Sequence, residues 1–388
     1  MIIKYISCIM FWFFYAIRYS VYKFTHNNIF MLSKSRYISI LSSRSFSHMV
    51  VDFCCAAIVF SIWNQNLMST ESFIQWVLLY NILAFWLQIF MWIFCDKTEY
   101  SKSISYIWCV LVWIWVCTFT INPMLSIIFL WIGNAWFHIW GWVLTLALHP
   151  GKARDPWFFV APGGIGLVIW TILWKAWNFY CREWLALLGI GLITMARSSK
   201  DFLPYRKIKE YAKKEGQKKY SRLLPVFLII TLLTISITIR SFVWFLVSYS
   251  WKTWALLTIS FVICLEIWKA LGWFLADKWW WLKVWTWSLL LSLPFLLLWE
   301  IAPACWFIGI FLFNINMSIA LVAMVKVMPK NPGFLFWLLC MALLIWALPT
   351  LLHMNYQWLE TILLIYFILL SAWCFWVAVN AEKESIEK

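Results

Sequence analysis

The feature that most constrains this chain is a succession of long, nearly charge-free apolar runs separated by short polar breaks. Each run is close to the roughly 20 residues that carry a helix across a bilayer. Only 12% of the 388 residues are charged, against about 25% in a soluble protein. A membrane β-barrel would instead show short alternating segments. The expected class is therefore an all-α polytopic membrane protein.

Runs and breaks place helices near residues 49–63, 72–94, 104–121, 123–147, 157–178 and 182–197. A second set falls near 223–248, 252–276, 283–299, 301–326, 333–352 and 357–379. Together they make twelve transmembrane helices in two six-helix bundles. The expected organisation is an N-terminal extension (1–46), a first bundle (47–198), a basic loop (199–222), a second bundle (223–380) and a tail (381–388).

Charge placement gives orientation. Lys97, Lys102, Lys152, Arg154, the central loop, Lys278, Lys283, Lys326 and Lys330 all fall on one side. The other side holds little beyond Lys175, Arg182 and Lys252. Because cytoplasmic loops are enriched in Lys and Arg, the central loop and both ends of the twelve-helix body are expected in the cytoplasm, within a cell (inner or plasma) membrane. The net charge of +15 is then a topology signal, with contact to anionic lipid as a secondary role, and no nucleic-acid partner is expected.

Residues 1–46 begin with an apolar run, MIIKYISCIMFWFFYAI, followed by Arg18 and Lys23. No small-residue cleavage site follows it, which argues against a removable signal peptide. An extra membrane segment, an interfacial helix and residues upstream of the true start all remain open. The eleven cysteines are scattered through apolar runs without CxxC or Cys/His spacing, so they read as buried thiols.

An internal repeat relates the halves. WIFCDK at 92–97 matches WFLADK at 273–278, an offset of 181 residues. DPWFF at 155–159 matches NPGFL at 331–335, an offset of 176. Trp170 and Trp346 each follow the matching proline by 14 residues. Duplicated six-helix halves are a transporter architecture, with the solute site near midplane between the repeats.

GWFLADKWWWLKV at 272–284 resembles the loop signature of the major facilitator superfamily, roughly G-x-x-x-D-[RK]-x-G-[RK]-[RK] between helices 2 and 3 and often again between helices 8 and 9. Asp277 and Lys278 match the charged pair, as do Asp96 and Lys97 in the first half. The resemblance covers about residues 48–380. It implies a gating-loop role for these residues, with the Asp capping a neighbouring helix N-terminus. The departures are Trp92, Trp273 and Trp280, which stand where that signature has glycine.

Tryptophan and glycine usage is inverted, with 34 Trp and 12 Gly where average usage gives about 7% Gly, roughly 27 residues. An aromatic belt explains Trp at helix ends. It does not explain Trp113, Trp115, Trp136, Trp140 and Trp142 inside apolar runs. Trp136 and Trp140 keep the small-xxx-small spacing of packed membrane helices, and the repeat pairs Trp157 with Gly333. This pattern is expected if many of these codons are UGA, read as tryptophan in some genetic codes and as glycine in others.

Ionisable groups within a bilayer are costly and mark candidate sites. Asp52, four residues after His48, is either a proton or solute site or a helix-end residue at the interface. Asn134 and His138 share one face of helix 4 and form a protonatable or solute-binding pair, or a histidine satisfied by a neighbouring helix. Arg240, alone in the middle of helix 7, is the candidate for an anionic solute. Glu266 and Lys269 on helix 8 neutralise each other, or Glu266 partners Arg240 in one conformation. Asn314 and Asn316 on helix 10 mirror Asn134 as polar cavity groups. Five histidines are too few to suggest a metal site, and no cofactor is expected.

The resulting expectation is a secondary active transporter, monomeric, carrying a small solute by alternating access with protons as the coupling ion through Asp52, His138 and Glu266. No nucleotide-binding domain, nucleophile elbow or HExxH helix is present in the sequence. One rival is a membrane-embedded lipid-modifying enzyme with His138 as base, which needs a second catalytic group within hydrogen-bond reach in a lipid-accessible cleft. The other is a non-transporting receptor or scaffold of the same fold, which would lack a continuous cavity.

Overall fold

The computed structural model describes residues 34–64, 67–86, 88–97, 121–149, 151–177, 223–246, 281–298, 303–315, 317–351 and 360–387, with a few isolated positions between. Among them all regular structure is helical: α1 Lys34–Asn64, α2 Thr70–Trp86, α3 Gln88–Lys97, α4 Pro123–Leu148, α5 Arg154–Trp177, α6 Leu223–Leu246, α7 Trp281–Leu297, α8 Pro303–Asn314, α9 Met317–Val327, α10 Pro332–Leu351 and α11 Glu360–Glu387. Residues 70–97 form one apolar span comprising α2 and α3, and Ala304–Val327 another comprising α8 and α9. Most of the expected helices at 104–121, 182–197 and 252–276 lie outside the described residues.

Six spans are long and apolar enough to cross a membrane by length and composition: Tyr37–Trp63, Thr70–Lys97, Pro123–Leu148, Val226–Val243, Ala304–Val327 and Thr361–Ala381. The protein is a multi-pass membrane protein.

Two boundaries differ most from expectation, and one is the end of α11, which runs on to Glu387, past residue 379 and through the expected tail. The other is the start of α1, a helix that begins at Lys34, well before residue 49. Its first half, KSRYISILSSRSFSH, looks polar because of its serines and of Lys34, Arg36, Arg44 and His48, and Arg44 is buried with its guanidinium 3.8 Å from the Trp140 ring centroid. The serine hydroxyls turn back onto the helix: Ser42 donates to Ile38 O at 2.6 Å, Ser45 to Leu41 O at 2.7 Å and Ser47 to Ser43 O at 2.8 Å. A hydroxyl satisfied by its own i−4 carbonyl carries little polar cost into a buried face. Asp52 therefore lies deep in α1, not at a helix end.

The first and fifth helices of each half pair with each other, α1 with α5 and α6 with α10, so the duplication seen in sequence recurs in packing. α1 meets α5 closely at Gly166, where an added Cβ would stand 2.3 Å from Met49 O. Small residues allow such backbone approach between membrane helices. α6 is fastened to α11 by a reciprocal serine pair. Ser236 Oγ donates to Ser371 O at 2.6 Å, and Ser371 Oγ to Ser236 O at 2.8 Å. The turn from α4 to α5 uses Gly151 at φ 81°, a left-handed conformation that glycine adopts without a Cβ penalty.

The halves touch where α2, α3 and α4 meet α10. Trp142 on α4 packs against Phe336 with ring centroids 5.1 Å apart, and Trp92 on α3 meets Phe334 edge-on at the same distance.

Candidate functional site

Three ionisable side chains converge in the middle of the first bundle. His48 and Asp52 are one turn apart on α1, and His138 comes from α4. His48 Nε2 lies 2.8 Å from His138 Nε2 and 3.2 Å from Asp52 Oδ2. His138 Nε2 lies 3.6 Å from Asp52 Oδ1.

The other ring nitrogens face backbone carbonyls. His48 Nδ1–H donates to Phe159 O at 2.6 Å and His138 Nδ1–H to Asn134 O at 2.9 Å. A carbonyl oxygen only accepts, so both Nδ1 atoms carry hydrogen. In two neutral rings both Nε2 atoms would then present lone pairs to each other at 2.8 Å. A shared proton or another cation between the two lone pairs would relieve that contact, with Asp52 Oδ2 3.2 Å from His48 Nε2 to balance its charge.

His48 is enclosed, with Phe159 stacked on its ring at 4.4 Å. Asp52 and His138 keep about a fifth of their side-chain surface exposed, 22% and 20%. An ionisable group at this depth faces a bundle interior or a water-filled cavity. Gly163 on α5 makes the space: a Cβ there would stand 2.5 Å from Asp52 Oδ2 and 2.7 Å from His48 Nε2.

Asn134 and His138 do share a face of α4, but they are linked through the Asn134 carbonyl rather than through both side chains. The Asn134 amide instead donates to Tyr80 Oη at 3.1 Å, and its Oδ1 is buried without a hydrogen-bond partner among the described residues. In the second bundle Arg240 is buried, with its guanidinium 5.1 Å from the Phe313 ring centroid. Arg240 Nε has no hydrogen-bond acceptor among the described residues. Asn314 is buried and donates to Ile310 O at 2.7 Å. Glu266, Lys269, Asn316, Trp273, Asp277, Lys278 and Trp280 lie outside the described residues.

At the junction of the halves, Asp96 at the end of α3 accepts from Gly333 N at 2.9 Å and Phe334 N at 3.1 Å. These are orphan donors of the first turn of α10, and the positive helix end favours the carboxylate. Trp92 is one turn back: a Cβ added at Gly333 would stand 2.9 Å from Asp96 Oδ1 and 3.2 Å from Trp92 Cβ. Lys97 closes α3 beside this cap.

A second buried network was not anticipated. Asp155, fully buried in the first turn of α5, accepts from Tyr37 Oη at 2.6 Å, from Arg154 Nε at 3.0 Å and from His149 Nδ1 at 2.5 Å. It ties α1 to the α4–α5 turn. The only sequence signal was the repeat pairing of DPWFF with NPGFL, which marks a helix start and says nothing of partners.

No sequence-family model matches the chain, and no curated protein matches it by sequence. Solved structures do. The E. coli fucose:proton symporter FucP, in a singly substituted form, superposes with TM-score 0.59 at 13% identity over 89% of this chain and 98% of its own. FucP in its outward conformation gives 0.58 at 13% identity, over 90% and 99%. The human organic anion transporter MFSD10 gives 0.58 at 11% identity, over 92% and 99%. The chain has the major facilitator fold.

Proposed function

We propose that the chain is a secondary active transporter that moves a small polar solute by alternating access, with a proton held between His48 and His138 and balanced by Asp52. The observation that carries this reading is the 2.8 Å Nε2–Nε2 contact beside a carboxylate, deep in a span where an uncompensated charge is expensive. A proton there changes the local charge without changing the packing, which is what a coupling site needs.

Two further features support a solute path. Asn134 Oδ1, one turn from His138, is a buried acceptor without a donor among the described residues. Arg240 is a buried cation in the opposite half, suited to an anionic group. The Asp96 cap on α10 spans the halves and acts as a gate latch, made when that end is closed and broken when it opens. By the positive-inside pattern this is the cytoplasmic end.

The substrate screen begins with sugars and organic anions, the cargoes named for the structural neighbours. Purified protein in proteoliposomes is assayed for uptake with and without an imposed pH gradient. Uptake that rises with the gradient supports the reading, while gradient-independent flux removes the proton claim. A lipid-modifying enzyme would instead turn over labelled lipid, and a scaffold would do neither.

A further inference from the structure

The geometry points to His48, Asp52 and His138 forming a binding site for one divalent transition-metal ion of the zinc and cobalt class. The ion would use the same Nε2 lone pairs as the proton of the proposed transport site, so the two would compete for them, whichever solute is moved. The donor atoms of the three residues all lie within 4.8 Å of one another. Two imidazole nitrogens and one carboxylate oxygen are the ligand types that zinc takes in sites with an open fourth position. Magnesium and calcium, which prefer all-oxygen shells, fit poorly.

The spacing suits a shared ion. With zinc–nitrogen bonds of about 2.0–2.1 Å, two donors on one tetrahedral ion stand about 3.3 Å apart. The two Nε2 atoms are 2.8 Å apart, and Asp52 faces them with different oxygens, Oδ2 at 3.2 Å from His48 and Oδ1 at 3.6 Å from His138. The two imidazoles need to part by about half an ångström to reach that geometry.

The surroundings are arranged for ligation as well. Metal-bound histidines donate their second ring N–H to a carbonyl or carboxylate, which fixes the tautomer and aims the ring. Both histidines do so, to Phe159 O and Asn134 O. The Nε2 lone pairs are thereby turned toward each other and toward Asp52. The missing side chain at Gly163 leaves room against Asp52 and His48. The exposed edges of Asp52 and His138 leave a position for water or a solute ligand.

The test uses full-length protein in detergent and Co2+ alone as the spectroscopic probe. One equivalent of Co2+ is expected to give visible ligand-field bands that Zn2+ bleaches. His48→Gln, His138→Gln and Asp52→Asn are each expected to weaken binding by about tenfold or more. His149→Gln, on the separate Asp155 network, is expected to leave it unchanged. Bands that survive in the His48→Gln, His138→Gln double variant overturn the site, as does absence of binding in the wild type. Should a ligand variant fail to fold, zinc-edge absorption fine structure on the unmodified protein decides. Two imidazole shells support the site, whereas an all-oxygen or sulfur shell overturns it. Binding is read at equilibrium without a gradient, so its failure leaves the transport reading intact, and failure of transport leaves this one intact.

Discussion

Asp96 and Gly333 lie 237 residues apart, and the carboxylate of one accepts the backbone N–H of the other at 2.9 Å. The bond crosses from the first bundle to the second and uses a helix end as its donor. A capping carboxylate contributes about 0.5–2 kcal/mol. Asp96→Ala is therefore expected to move the balance between closed and open forms at this end by roughly 2- to 30-fold. Spin labels at Lys97 and Lys330 report it. A short distance in the wild type should lengthen or broaden in the variant, and an unchanged distribution would remove the latch.

Arg240 is buried over Phe313 with its Nε unbonded among the described residues. A buried guanidinium nitrogen left without an acceptor costs stability, and ionisable groups at such depth mark functional sites by default. Arg240→Met is expected to raise the melting temperature, by relief of about 1–3 kcal/mol, while uptake of anionic solutes is lost. If Glu266 is its partner instead, the same substitution strands a carboxylate and costs about 3–5 kcal/mol. Thermal unfolding followed by tryptophan fluorescence separates the two by sign.

In the proposed coupling site Asp52 is the counter-charge to the proton held between the two histidines, 3.2 Å from His48 and 3.6 Å from His138. Asp52→Asn keeps the shape and removes the charge. Gradient-driven accumulation is expected to fall to simple equilibration, while exchange of labelled for unlabelled solute persists. Loss of exchange along with accumulation would mean that Asp52 holds the solute rather than the coupling ion.

Gly333 offers its N–H to Asp96, yet the repeat puts Trp157 at the corresponding place in the first half. Buried indole N–H groups usually find a partner, but those of Trp131, Trp140 and Trp285 have none among the described residues. Both facts accord with tryptophan written for glycine. The gene should read UGA at Trp92, Trp157, Trp273 and Trp280, and peptide mass spectrometry of the native protein should find glycine there. UGG at all four would end the idea.

What the chain disclosed in advance follows from the range of each signal. Hydropathy is local and strong, so α4 and α6 were legible to within two residues, while the polar end of α11, which stays helical to Glu387, was not. A capping role for Asp96 came only through the resemblance of the loop signature, which did not name the helix it caps; the fold supplies α10. The start of α1 was not legible, since hydropathy counts a serine as polar even when its hydroxyl is bonded to its own helix. The histidine cluster was half legible. Asp52 and His138 stood out as ionisable groups, but His48 entered only as a neighbour, because it lies 90 residues from His138 and no spacing rule joins them. Gly163 was silent, as its role is to be absent from a space that only the fold defines.

The central claim is that flux through this protein is driven by a proton held at His48, Asp52 and His138. It is tested most directly by solute accumulation in proteoliposomes as the pH gradient is stepped. One coupled proton predicts about a tenfold gain in the accumulation ratio per pH unit, abolished in His138→Gln. An accumulation ratio that stays at unity across all gradients, with the solute still crossing, would contradict it.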